Sequence, residues 1–447
     1  MVEKAKNREQ WTSFLGVVLM ALLLPGILRL TNSLVRYVVG AEGRLSAIAV
    51  ESDRVLGPMP KPWTALAQGG DNLKAFLQGH ESKVQVLGPK YLRIDHIYDL
   101  FNVVSRNDSG LVFNWTELDK LVEEIVAVGA RPFFSLSYMP VAISSGDILS
   151  EPKDWQEWSL VVQKTIEHYS GELGLSDVYY EVWNEPDLFG NWKIGGKKDY
   201  RVLYYYAALG AARANGVKAY KLGGPATTGL YKNWLDGMFR YVMQNKLRMD
   251  FFSYHRYDLD LLKYAEDVKS IDLWVNSYPY LSHVEKIVSE MGPSSEMGGN
   301  NDNILGAAYT VATARELMGK IKYGFGFSVS GNWGVIGKPR YESLQFLSRL
   351  GENRLSVTGE GSWVKAIGAK NGSKYQVLLV NYDPKQTHSE VVPVSFLGLN
   401  DKLFNLTVEM VGGIKRTVEV ATTEAILQTS VPMSPNSVAI VELEAKN

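Results

Sequence analysis

The chain has 447 residues, 46% of them hydrophobic and 21% charged, a composition that folds into a globular protein and excludes a disordered or fibrous one. Lys and Arg number 47 against 48 Asp and Glu, and a formal net charge of −1 argues against a broad nucleic-acid footprint. The absence of cysteine removes disulfides, thiolate metal sites and a Cys nucleophile, and the length suits one large barrel with a smaller partner domain.

Residues 11–28 carry no charge and include Phe14, Leu15, Val17, Val18, Leu19, Met20, Leu22, Leu23, Leu24 and Ile27. At 1.5 Å per residue a helix of this length spans roughly 27 Å, close to a bilayer core. Lys4, Lys6 and Arg8 precede it and Arg29 and Arg36 follow, a small bias toward a cytoplasmic N-terminus. The run reads as an uncleaved membrane-anchor helix. A cleaved signal peptide is the main alternative, with the small-residue triplet Ala47-Ile48-Ala49 lying far beyond the usual cleavage region, and a buried core helix is a third. The first two readings both place the remainder outside the cytoplasm, anchored or secreted.

A polar, proline-bearing connector, Val55–Pro62, leads into alternating β-rich runs and helical patterns. The runs are Ala65–Gln68, Tyr91–Asp95, Pro132–Tyr138, Val178–Trp183, Lys221–Gly224, Asp250–Tyr254, Lys286–Glu290 and Phe325–Val329. Between them, Asn114 with Glu117 and Asp154 with Glu157 have capping-box spacing, and a further helix runs from Asp199 to Asn215. Eight such units predict an α/β fold, a (β/α)₈ TIM barrel over residues 46–352, with residues 1–45 as the anchor or signal segment. An open doubly wound sheet is the alternative. It wants an early phosphate-binding glycine turn, and neither that pattern nor a P-loop occurs. The stretch Gly326-Phe327-Ser328-Val329-Ser330 also misses the serine-hydrolase nucleophile elbow, which needs a final glycine. From about Leu355 short alternating runs separated by turns such as Lys370-Asn371-Gly372 predict an antiparallel β-sandwich over 353–447, packed directly on the barrel.

In such a barrel, chemistry sits where strands run out into their following loops. The fourth run ends in Trp183-Asn184-Glu185-Pro186, an apolar strand that stops at an amide and a carboxylate. The seventh ends in Ser289-Glu290-Met291, where alternation groups Glu290 with Val288 and Lys286 and so leaves its direction open. Each carboxylate alone could be an ordinary ion-pair partner; two aimed across one mouth are what glycosidic cleavage requires. The second run ends in Arg93-Ile94-Asp95-His96 and the sixth in His255-Arg256-Tyr257. An Arg beside the nucleophile would keep it ionised, with His and Tyr to orient it. Trp183, Trp192 and Trp333 offer flat apolar faces on which sugar rings stack, although such aromatics also serve as core. His80, His168, His283 and His388 lack paired ligand spacing, so neither a metal nor a cofactor is expected.

Trp183-Asn184-Glu185-Pro186 resembles the fourth-strand signature of glycoside hydrolase clan A, whose members are retaining (β/α)₈ enzymes. The chain is most similar to family 39, which includes β-xylosidases, α-L-iduronidases and bacterial exopolysaccharide hydrolases. Tyr91-Leu92-Arg93, Tyr138-Met139-Pro140, Gly223-Gly224-Pro225-Ala226, Phe252-Ser253-Tyr254-His255, Ser289-Glu290 and Lys338-Pro339-Arg340-Tyr341 resemble its successive strand ends over residues 60–350. The resemblance implies Glu185 as acid/base, Glu290 as nucleophile, Asn184 as donor to the sugar 2-hydroxyl, and Arg93, His255 and Tyr257 as support for Glu290. His96, Trp192 and Trp333 complete the expected carbohydrate-binding set. The chain departs from the family pattern at Asp187 and at Met291-Gly292-Pro293, and the resemblance gives no role to Asp95-His96-Ile97-Tyr98-Asp99. The function expected is retaining glycoside hydrolysis of an oligo- or polysaccharide; a transglycosylase or a non-catalytic glycan-binding scaffold are the alternatives.

Overall fold

The computed structural model describes residues 43–446, apart from Asp71 and the Ile414 side chain. The apolar run 11–28 and the anchor expected there lie outside the described residues. Among the described residues no helix is long and apolar enough to cross a membrane.

Eight parallel strands close into a barrel in chain order: Ala65–Gln68, Tyr91–Ile94, Arg131–Leu136, Val178–Val182, Tyr220–Thr227, Phe251–Tyr257, Glu285–Gly292 and Tyr323–Phe327. They correspond to the eight expected runs, with the last starting two residues earlier, at Tyr323. Helices wrap the outside, and their starts follow side-chain chemistry. Asp154 and Asp199 cap the helices Trp155–Ile166 and Tyr200–Arg213 by accepting the N–H two residues on. Asn114 instead accepts from Thr116 just ahead of the helix Thr116–Ala127, whose cap position is Trp115.

Successive strand residues face opposite sides. Tyr91, Phe133, Tyr179, Phe251, Ile287, Tyr323 and Phe325 therefore form one cluster inside the barrel, while Leu92, Phe134, Tyr180, Phe252 and Val288 pack outward with the helices. The Tyr179 ring stacks on Phe133 at 5.1 Å and meets Tyr91 edge-on at 4.9 Å. This aromatic plug fills the lower barrel. Two residues further along the same faces come Arg93 and Glu181, the first polar layer above it.

Strand seven resolves the direction of Glu290. Its register with strand six slips between Val288↔Tyr254 and Glu290↔His255, a bulge at Ser289. A bulge inserts one residue and reverses the alternation beyond it. Ile287 points in and Val288 out, and the extra residue turns Glu290 inward again; Lys286, outside, pairs with Asp272.

The carboxy-terminal strands form one nine-stranded sheet rather than two separately bonded ones. Strands from both ends of its order, such as Phe404 and Val431, share one core, so the sheet curls back on itself. Its membership corrects the expected boundary at residue 46. Ile48–Pro58 belongs to this sheet, antiparallel to Asn353–Thr358 and parallel to Glu390–Leu397. The polar run Glu51-Ser52-Asp53-Arg54 and the register breaks beside it hide this strand in the sequence. The direct packing on the barrel is achieved by alternation. Val377, Leu379, Ala439 and Val441 face the sheet's own core, whereas Leu378, Val380, Val438 and Ile440 join the barrel's. The helix Ile304–Leu317, buried on nearly every side, lies between them.

One strand thus serves two cores, and barrel and sheet should unfold together. Ile440→Ala is expected to cost about 2–5 kcal/mol and to leave a single denaturant transition followed by both tryptophan fluorescence and circular dichroism. Two separated transitions would contradict the shared core.

Candidate active site

Arg93 is fully buried, and each of its three nitrogens has an acceptor. Nε donates to Glu181 Oε2 at 2.7 Å, Nη1 to Glu290 Oε1 at 2.7 Å and Nη2 to Asn184 Oδ1 at 2.8 Å. A planar guanidinium suits this fan of acceptors, which a single ammonium could not span. Strands two, four and seven are thereby tied to one cation. Asn184 continues the network, donating through Nδ2 to the Tyr138 hydroxyl at 3.0 Å. One Nδ2 hydrogen remains, as the expected bond to a sugar hydroxyl requires.

Beyond Val182 the backbone turns sharply. Trp183 and Glu185 have φ of 74° and 44°, a left-handed conformation that costs a non-glycine residue on the order of 1–3 kcal/mol. Several bonds hold it. Ser135 Oγ donates to the Trp183 carbonyl, the Glu185 N–H reaches the Ala226 carbonyl at 3.0 Å, and the Trp183 indole N–H reaches the Phe189 carbonyl at 2.9 Å. Asp187 accepts from both the N–H and hydroxyl of Thr228 and fastens this turn to the end of strand five.

The turn aims Glu185 across the mouth at Glu290. An oxygen of each carboxylate and a nitrogen of His255 lie within 4.8 Å of one another. His255 Nδ1 is 2.9 Å from Glu185 Oε1 and 3.5 Å from Glu290 Oε2. The expected support of Glu290 by His255 is therefore shared, with the shorter contact going to Glu185. Tyr257 donates its hydroxyl to Glu290 Oε2 at 2.7 Å, as expected.

These contacts set the charges. Burial pushes the Glu290 carboxyl up, but the His255 charge, the Arg93 guanidinium and the Tyr257 hydroxyl outweigh it and hold the group below the ordinary carboxylate range. Burial draws His255 down, yet Glu290 and Glu185 more than compensate and raise it. Burial beside Glu290 lifts the Tyr257 phenol far above its usual value, so it stays a donor. Glu185, His255 and Glu290 are also ligand types for a cation. Arg93 and Tyr257 already engage both oxygens of Glu290.

Above this layer opens a cavity of about 450 Å³, inside the usual range for small-molecule sites. Asn184, Glu185, Glu290, His96 and Trp333, all named from the sequence, line it. The His96 ring packs edge-on against Tyr138 with Nδ1 2.8 Å from Asp99, and Asp99 and Asp95 hold its pKa above the ordinary value against the pull of burial. Trp192 does not belong to the site. It is fully buried, packed edge-on against Trp183 and under the Lys198 ammonium, and fills the core behind the Glu185 turn.

Several lining groups were not singled out from the sequence as site residues: Asp95, Tyr138, Phe189, Phe327 and the segment Asp147–Leu149. Glu181, beneath the cavity, is another. A carboxylate two residues past Tyr179, inside an otherwise apolar run, is a readable signal for the last. The 147–149 segment comes from a long loop with no pattern to announce it.

The sequence profile of glycosyl hydrolases family 39 matches residues 46–291, which include both glutamates. A β-xylosidase of Caldicellulosiruptor saccharolyticus is 31% identical over 235 residues, 49% of this chain and 47% of that protein. A β-xylosidase of Geobacillus stearothermophilus is 26% identical over 341 residues, 64% of this chain and 66% of that protein. The chain thus spans about half the length of the first relative and 66% of the second. Among solved structures, a GH39 enzyme from Xanthomonas axonopodis pv. citri superimposes with a TM-score of 0.77 at 19% identity, covering 90% of this chain and 98% of the other. A monomeric β-xylosidase from Caulobacter crescentus gives 0.77 at 20% identity, covering 90% and 100%. These two share the fold. The family match extends over more than half of the sequence, and the chain belongs to glycosyl hydrolases family 39.

Proposed function

We propose that the protein is a retaining glycosidase acting on an oligo- or polysaccharide, with Glu290 as nucleophile and Glu185 as acid/base. The observation that carries this reading is that an oxygen of Glu185 and one of Glu290 lie within 4.8 Å of each other. Retaining enzymes hold this pair about 5–5.5 Å apart, whereas inversion needs room for a water, about 6.5–9.5 Å. Glu290, kept ionised by Arg93, attacks the anomeric carbon while Glu185 gives its proton to the departing oxygen. The glycosyl–Glu290 ester is then opened by water that Glu185 deprotonates, restoring both groups. The β-xylosidase names of the relatives make a β-linked pentoside the first substrate to try. We further infer, from the apolar run 11–28 alone, a site of action outside the cytoplasm with membrane tethering through that run.

Glu290→Gln should lower turnover of aryl glycosides by about 10,000-fold, the scale of losing a nucleophile, and Glu290→Gly should recover activity with azide. Glu185→Gln should still form the intermediate from dinitrophenyl glycosides, which need no acid, and stall at its hydrolysis. Near wild-type steady-state rates for Glu290→Gln would refute the assignment.

The lowered Glu290 pKa also predicts a pH profile. The nucleophile must be ionised, so the acid limb of kcat/KM should fall below the ordinary carboxylate value of about 4.3. Tyr257→Phe removes one bond to the charged form and leaves Arg93 in place. The limb should move upward toward that value, with kcat reduced about 10- to 100-fold and the thermal midpoint nearly unchanged. A limb that does not move would show that Tyr257 does not act on Glu290.

A further inference from the structure

Among the described residues, Asp95 is the one buried carboxylate of the cavity that neither the two-step reaction nor the Arg93 network uses. It sits two residues beyond Arg93, where strand two enters its loop, and is only 4% exposed. It nevertheless lines the cavity, beside Glu290 and His96. Its Oδ1 accepts the Gly70 N–H at 3.2 Å, and no other hydrogen bond reaches the carboxylate among the described residues. A carboxylate offers about four acceptor sites, so most of its capacity is directed into the hollow unused. Space is kept for it: a Cβ at residue 69 would stand 3.1 Å from Asp95 Oδ2 and 3.2 Å from the Phe327 ring, and residue 69 is glycine.

The carboxylates around it outnumber the bases. Asp95, Asp147, Glu185 and Glu290 line the cavity, and among the described residues no Lys or Arg does. Every guanidinium nitrogen of Arg93 is committed beneath. The His96 imidazole, the remaining lining base, already faces the Asp99 carboxylate. A second anion brought in by a substrate would meet four carboxylates against one imidazole already shared with Asp99, whereas a hydroxyl or ammonium would find an unused acceptor.

We propose that Asp95 determines specificity for the sugar that reacts with Glu290, accepting hydrogen bonds from a donor group of that sugar and excluding sugars that carry a carboxylate. This rests on the glycosidase reading and narrows it to uncharged or amine-bearing sugars, with uronic acids rejected.

The test uses the full chain with three p-nitrophenyl β-D-glycosides of one stereochemistry: glucoside, 2-amino-2-deoxyglucoside and glucuronide. In the wild type, kcat/KM for the glucuronide should be at least 100-fold below that of the better of the other two. Asp95→Asn should lower that better substrate at least tenfold and narrow its lead over the glucuronide at least tenfold. A loss of rigidity alone would slow all three in parallel. A larger loss on the amino sugar identifies an ammonium as the donor; equal losses on it and the glucoside identify a hydroxyl. A wild-type glucuronide rate within tenfold of the glucoside, or an Asn variant with an unchanged ratio, would overturn the proposal. If the Asn variant does not fold, the wild-type ratios decide. If none of the three is turned over, the p-nitrophenyl β-D-xyloside tests the glycosidase reading itself, which fails if that too is inert. Wild-type NMR titrations with glucose, glucosamine and glucuronate then decide the binding claim, which glucuronate binding as strongly as the others would overturn.

Discussion

A guanidinium sealed from water in the middle of a barrel must find its compensation in the protein, and Arg93 finds it in two carboxylates and an amide from strands four and seven. Desolvating such a cation is costly, and removing one partner of a buried pair is typically a loss of about 3–5 kcal/mol. The pairing therefore works in both directions. Glu181 and Glu290 keep Arg93 charged, and His255, Arg93 and Tyr257 together hold Glu290 below the ordinary carboxylate range against its burial. The nucleophile role proposed for Glu290 depends on these contacts.

The rest of the architecture places these few groups. The aromatic plug of Tyr91, Phe133, Tyr179 and Phe251 closes the barrel from below, so that the polar layer has a dry floor and one open side. Each of the two facing carboxylates then needs a local departure from regular backbone. Glu290 turns inward because of the bulge at Ser289, and Glu185 reaches across the mouth because Trp183 and Glu185 adopt left-handed conformations. Bulges and strained backbone recur where side chains must be re-aimed, and the surrounding structure bears their cost. Here that support includes the Asp187–Thr228 clasp, the Trp183–Phe189 bond and the buried Trp192 behind them.

Much of this was legible in the amino-acid sequence. The eight barrel runs stand out because each couples β-rich residues to a helical pattern, and Arg93, Asn184, Glu185, Tyr257 and Glu290 are strand-end residues that converge once the barrel closes. What escaped reading has physical reasons. Strand Ile48–Pro58 carries a polar, bulged middle and pairs with segments some 300 and 340 residues later, so no local periodicity reveals it. The direction of Glu290 could not be read, since period-two alternation fails across a bulge. Trp192 was expected among sugar-facing aromatics, but burial is a tertiary property that a strand-end position does not fix. Asp95 shows the same limit from the other side: it stands between two expected site residues, Arg93 and His96, yet only the cavity gives it a role.

The account stands on Glu290 being the atom donor to a covalent glycosyl ester. Trapping with a 2-deoxy-2-fluoroglycosyl fluoride of a sugar the protein turns over, followed by proteolysis and mass spectrometry, reads this directly. The mass of one fluorosugar is expected on the peptide that contains Glu290, and on that side chain. A label on Glu185 or on any other carboxylate would contradict it.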